Sequence, residues 1–88
     1  MPYMLKKLTG APIDAVKVQL EADAETHAKD GMYLEHVWQD ATDPSVVWFL
    51  FRINDLEHAK ALTARTHAEA RAKDPNVKLP ETIFLADV

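Results

Sequence analysis

Residues Ser45 to Ile53, Ser-Val-Val-Trp-Phe-Leu-Phe-Arg-Ile, constrain this chain more than any other stretch. The run is β-branched and aromatic, with Asp43-Pro44 before it and Asn54-Asp55 after. Its length and those flanks predict a strand rather than a buried helix. Side chains alternate across a strand, so Val47, Phe49, Phe51 and Ile53 share one face, and Val46, Trp48, Leu50 and Arg52 share the other. Both faces are apolar except at Arg52. Such a strand belongs in the middle of a sheet, covered twice.

The neighbouring segments supply candidates for that cover. Tyr3 to Leu8 predicts a short first strand ending before Gly10. Ala11-Pro12 predicts a helix start, because proline at the first helical position gives up only a donor already unpaired. Ile13, Val16, Leu20, Ala24 and His27 recur at spacings of three and four, one helix face. Asp14 and Lys29 suit the two ends of that helix, and Gly31 suits a left-handed stop. Val16, Val18, Leu20 and Ala22 also alternate, so a strand is the rival reading. The alanines and the end signals favour the helix.

Met32 to Gln39 predicts a second strand, joined through Asp40 to Pro44 to the central one. So short a connection makes an antiparallel hairpin. With Trp38 opposite Trp48, His36 falls opposite Leu50 and Leu34 opposite Arg52. Asn54 is the expected N-cap of a second helix, with Glu57 completing a variant capping box. Leu56, Ala59, Leu62 or Thr63, Thr66 and Ala70 carry that helix to about Lys73, where Asp74-Pro75 closes it. Thr82 to Val88 is the last expected strand.

The order β-α-β-β-α-β is that of the ferredoxin-like α+β unit, a four-stranded antiparallel sheet. Right-handed crossovers put both helices on one face of the sheet. Val47, Phe49, Phe51 and Ile53 are expected beneath them. Nothing in the chain remains to cover Val46, Trp48 and Leu50, with Trp38 and Met32 beside them. An exposed patch of two tryptophans is an aggregation hazard on a monomer, and a second copy of the chain is the economical cover. The expectation is a homodimer.

Composition excludes several classes of function. At 88 residues the chain is expected to form one domain, 1–88, with ordinary globular composition of 48% apolar and 27% charged residues. With no cysteine it has neither a disulfide nor a thiolate ligand or nucleophile. The net charge is −4 and the lysines and arginines are scattered, so nucleic acid is not an expected partner. No apolar run approaches the ~20 residues that span a bilayer, and Met1 to Gly10 lacks a signal-peptide core, which predicts a cytoplasmic protein away from membranes.

Residues 13–32 resemble the first helix and turn of small dimeric α/β-barrel proteins, and Leu50 to Leu62 is similar to their strand-to-second-helix junction. With the acidic loop Asp40 to Pro44, the resemblance covers most of residues 13 to 62. It implies two ferredoxin-like subunits with their sheets face to face around a central barrel. Members of that superfamily include cofactor-independent monooxygenases of the antibiotic-biosynthesis type, haem-degrading enzymes, lactone isomerases and stress-responsive proteins. Fold analogy alone does not choose among these activities.

The face between the sheets is where the sequence places a candidate site. His36 could move a proton near neutral pH, and Arg52 could hold a carboxylate or enolate through its planar fork. Trp38, Trp48, Leu50 and Leu34 could sandwich a planar aromatic or lactone-like substrate without a cofactor. The bland alternative is a non-catalytic dimer, in which the tryptophans are interface packing, Arg52 pairs with Glu35 or with an acidic residue of the partner, and His36 is a satisfied interface histidine. Among the other histidines, Asp23 and His27 lie one helical turn apart, too few ligands for a metal. His27 itself belongs to the apolar stripe, and His58 in the first turn of the second helix is expected to be exposed. His67 in the same helix invites comparison with the haem ligand of the haem-degrading relatives, but the surrounding residues do not match and the first strand has no matching asparagine.

Overall fold

The structure is a computed structural model that describes residues 1–88. Four strands, β1 (Tyr3–Thr9), β2 (Met32–Gln39), β3 (Val46–Ile53) and β4 (Glu81–Leu85), form one antiparallel sheet in the order β2-β3-β1-β4. Helices α1 (Ile13–Ala22), α2 (Ala24–Lys29) and α3 (Leu56–Lys73) occupy the crossovers and cover one face. This is the ferredoxin-like arrangement that the element order predicts.

The central strand behaves as its pattern requires. β3 lies between β1 and β2, and Val47, Phe49, Phe51 and Ile53 are all buried toward the helices. They form one core with Met4, Val16, Leu20, Met32 and Ala59. Val16 and Leu20 deliver the helical stripe, whereas Val18 is 69% exposed, which settles the rival strand reading for residues 16–22. Opposite, Trp48, Leu50 and Arg52 are only half-buried, while Val46 is buried at the strand's end but outside the core cluster.

Five local expectations are corrected. The first helix comes in two pieces, joined at Asp23, whose carbonyl still accepts from the His27 amide at 2.9 Å. Pro12 is the extended cap residue rather than the first helical one. The cap of α3 is Asp55, not Asn54. Its carboxylate accepts from the His58 amide at 3.0 Å, satisfying one unpaired donor of the first turn. Asn54 is used elsewhere, donating its amide to the Gly31 carbonyl at 2.9 Å. Gly31 stands at φ +72°, and a Cβ there would meet the Asn54 side chain at 3.2 Å, so the turn favours glycine on both counts. The last strand is shorter than expected, ending at Leu85.

The fifth correction decides which residues share a face. Trp38 does pair with Trp48, and His36 with Leu50, but a register shift between Leu34 and His36 puts Leu34 opposite Phe51 and Tyr33 opposite Arg52. An extra residue in one strand reverses the alternation beyond it. Met32 and Leu34 therefore lie on the helix side, Met32 in the core, while Tyr33, His36 and Trp38 belong to the open face.

If the core is assigned correctly, Phe51→Ala lowers stability by about 3–5 kcal/mol in denaturant unfolding, because Phe51 is 2% exposed. Val18→Ser, on exposed surface, changes it by no more than about 0.5 kcal/mol. Comparable effects at the two positions would contradict the assignment.

Candidate functional site

Two surfaces compete for the role of site, one on each side of the sheet. The open face has an apolar centre of Leu5, Trp48, Leu50 and Ile83, flanked by Trp38 and Leu85. Trp38, Ile83 and Leu85 are each more than 40% exposed. Charged and polar groups ring this centre. The Arg52 Nε forms an ion pair with Glu35 Oε1 at 3.2 Å, and its guanidinium lies over the Tyr33 ring, 4.9 Å from the centroid. Lys7 Nζ lies 5.4 Å from the Trp48 ring. His36 stacks on Trp38 with centroids 4.9 Å apart and planes 20° from parallel.

A shallow trough of about 410 Å³ crosses this face between Trp38 and Trp48, with Leu50, Leu5 and Leu85 on its floor and Asp40 at its end. Asp40 holds the hairpin loop and the trough together. One carboxylate oxygen accepts from the Thr42 amide and hydroxyl, and the other from Trp48 Nε1 at 2.9 Å. Those hydrogen bonds, the one from Trp48 foremost, hold its carboxyl down at a pKa of about 2. Of the residues singled out from the sequence, Trp38, Trp48 and Leu50 line the trough. His36 and Arg52 do not, and Leu34 lies on the opposite side of the sheet, in a groove beside α1 and α2.

The second surface is a cavity of about 540 Å³ between the sheet and the helices. Its floor carries Lys6, which pairs with Phe49 on one side and Thr82 on the other, in the middle of the sheet. Lys6 is 9% exposed, the one charged side chain among the buried residues. Its ammonium donates to Thr82 Oγ1 at 3.1 Å and makes no ion pair. Burial pushes its pKa down from the usual lysine value to about 8. Nothing in the sequence reading singled out this residue. The signal was present, because Met4, Lys6 and Leu8 alternate on one face of a strand that a ferredoxin-like order makes central.

His27 and His67 enter the same cavity from α2 and α3. His27 packs edge-on against Phe51 with centroids 5.1 Å apart. Its pKa is lowered first by burial, with the Lys6 charge adding to this and Asp23 and Asp30 opposing it. Burial likewise lowers that of His67, helped by the Lys6 and Arg71 charges. Both imidazoles are therefore mainly neutral at pH 7 and can accept a proton. The two acids lining the cavity are engaged away from Lys6: Asp30 Oδ1 meets His58 Nε2 at 3.1 Å, and Asp23 Oδ2 accepts from Gln19 Nε2 at 2.9 Å. His58 is exposed at the cap of α3, as its position predicts. No group of three ligating side chains is placed to hold a metal ion. The unpaired Lys6 cation beside His67 also makes the cavity a poor fit for a haem iron.

No protein-family model matches the chain, and no curated protein sequence matches it significantly. Solved structures do match. Two carry the name "putative antibiotic biosynthesis monooxygenase". The one from Deinococcus radiodurans is 17% identical with a TM-score of 0.63, over 100% of this chain and 93% of its own. The one from Chloroflexus aurantiacus is 22% identical with a TM-score of 0.59, over 99% and 92%. A NIPSNAP domain protein from Burkholderia xenovorans is 18% identical with a TM-score of 0.58, over 100% and 95%. At these identities the likeness establishes the ferredoxin-like fold.

The buried amine has a measurable signature. Between pH 8 and 10.5 the unfolded chain holds more protons on Lys6 than the folded one, so this residue makes stability rise with pH across that window. Lys6→Met, similar in length and apolar, is expected to be more stable than the wild type at pH 7 by ~1–3 kcal/mol. That gap closes as the pH passes from 8 to above 10.5. A gap that does not change over this range contradicts the buried charge.

Proposed function

We propose that two copies of this chain pair through the open sheet face, and that each holds a small planar organic molecule in the cavity between its helices and its sheet. One observation carries the second half of this reading. Lys6, His27 and His67 converge, with Asp23 and Asp30 also in the lining, on a cavity of about 540 Å³. Phe49 and Phe51, packed edge to face with centroids 5.9 Å apart, give it an aromatic wall.

The chemistry such a cavity supports is proton transfer. A neutral His27 or His67 can take the proton of a phenol or enol, leaving an electron-rich ring. That is the kind of substrate suited to oxygenation without a cofactor, in keeping with the monooxygenase names of two structural neighbours. The pairing of subunits rests on the open face, whose apolar centre and polar rim have the anatomy of an interface. In this reading Arg52, salt-bridged to Glu35, and His36, stacked on Trp38, are contact residues of the dimer.

The trough between Trp38 and Trp48 favours a second reading. There the planar ligand lies between the two sheets, Trp38, Trp48 and Leu50 sandwich it, and His36 and Arg52 act on it from the rim. A dimer with no ligand at all is the third outcome of the same experiment.

The chain is expected to sediment at twice the 9.9 kDa of one copy at micromolar concentration. Leu50→Asp, which puts a charge at the centre of the face, reduces this to one copy while leaving the circular dichroism unchanged. A wild-type monomer at that concentration rules out the dimer. For the site, a thermal-shift panel of aromatic acids, quinones and lactones is read on three variants. Thr63→Phe, which fills the helix-side cavity, abolishes the shifts, and His36→Gln and Arg52→Lys leave them as in the wild type. The opposite pattern assigns the ligand to the space between the sheets, and no shift with any compound removes the ligand altogether.

A further inference from the structure

The ammonium of Lys6 stands in the middle of the sheet, in a cavity, with one neutral hydroxyl as its polar partner. A buried cation is ordinarily neutralised by a carboxylate from the same chain. Here the two candidate acids of the cavity, Asp23 and Asp30, are turned to Gln19 and His58. From the helices, His27 on α2 and His67 on α3 line the same cavity and feel the Lys6 charge, and Arg71 acts on His67 as well. None of these offers a negative charge. Lys6 thus has no carboxylate in contact with it, and the cavity above it has room for a molecule.

Resting on the reading that this cavity is the ligand site, we infer that the ligand is an anion, a planar molecule bearing a carboxylate, phenolate or enolate that completes an ion pair with Lys6. The charge sits opposite the helices, so the anionic group goes down to the sheet and the ring lies above it against Phe49 and Phe51. In that pose the remaining edge of the ring faces His27 and His67, the two proton acceptors. A charge-assisted hydrogen bond from a buried ammonium gives both affinity and orientation. An uncharged analogue leaves the ammonium as poorly partnered as before, which is the basis for discrimination.

The probes are 2-naphthoate and its uncharged counterpart 2-naphthamide, titrated calorimetrically into wild type and Lys6→Met at pH 7. The expected result is at least tenfold tighter binding of naphthoate to the wild type. In Lys6→Met that preference vanishes while naphthamide still binds, which shows that the cavity is intact. Equal affinity of the two probes for the wild type, or a preference that survives in Lys6→Met, overturns the inference and leaves the cavity reading standing. Formate, too small to test the planar pocket, provides the separate arm through the NMR shift of the Lys6 Cε. If naphthoate fails to bind but formate moves that signal in the wild type, the anion site stands and the planar-ligand reading falls. Failure of both anions overturns the inference.

Discussion

The structure depends on one constraint, that the strand β3 is apolar on both faces and must be covered on both. The helices satisfy one side, burying Val47, Phe49, Phe51 and Ile53 in a core shared with β1, α1 and α3. The chain offers no second layer for the other side, where Trp48 and Leu50 remain half-exposed beside Trp38, Ile83 and Leu85. Burial of apolar surface is worth roughly 25 cal/mol per Å², so such a face represents unspent stabilisation until a partner removes it from water. The same logic explains why its polar residues stand at the margin. Arg52 with Glu35, and Lys7 over Trp48, keep their charges in solvent around an apolar centre.

Against this background Lys6 is anomalous. A methionine or leucine at that position would continue the alternation of Met4 and Leu8 and complete the core. A lysine instead puts an unpaired charge under the helices, at a cost visible in its lowered pKa. Burial is the first cause that lowers the pKa values of His27 and His67, and the Lys6 charge adds to it. A buried, unpaired charge that weakens the folded state is better accounted for by binding than by stability.

Much of the architecture was legible in the sequence because it follows from strand alternation and helix periodicity. The run from Val46 to Ile53, the stripe of Val16 and Leu20, and the short loop from Asp40 to Pro44 each carried one dominant signal. The bulge in β2 carried none. Neither Glu35 nor its neighbours are the glycine that often marks such a defect, so Leu34 and Met32 were assigned to the wrong side and Tyr33 was overlooked. The α3 cap was misread by one residue because Asn54 and Asp55 are equally good cap residues, and only packing against Gly31 decides between them. The site was less legible than the fold. Aromatic residues with a histidine and an arginine drew attention to the open face, while Lys6 lay in a segment whose two lysines looked like ordinary solvent-facing charges. Only the strand order, which sets β1 at the centre of the sheet, turns one of them inward.

The central claim, that the ligand site lies under the helices with Lys6 as its anchor, is tested most directly by a crystal structure of the protein with 2-naphthoate. The account predicts the naphthalene ring against Phe49 and Phe51, with a carboxylate oxygen about 2.8 Å from Lys6 Nζ, as expected of a charge-assisted hydrogen bond. Naphthoate lodged instead between Trp38 and Trp48, with the helix-side cavity holding only water, would contradict it.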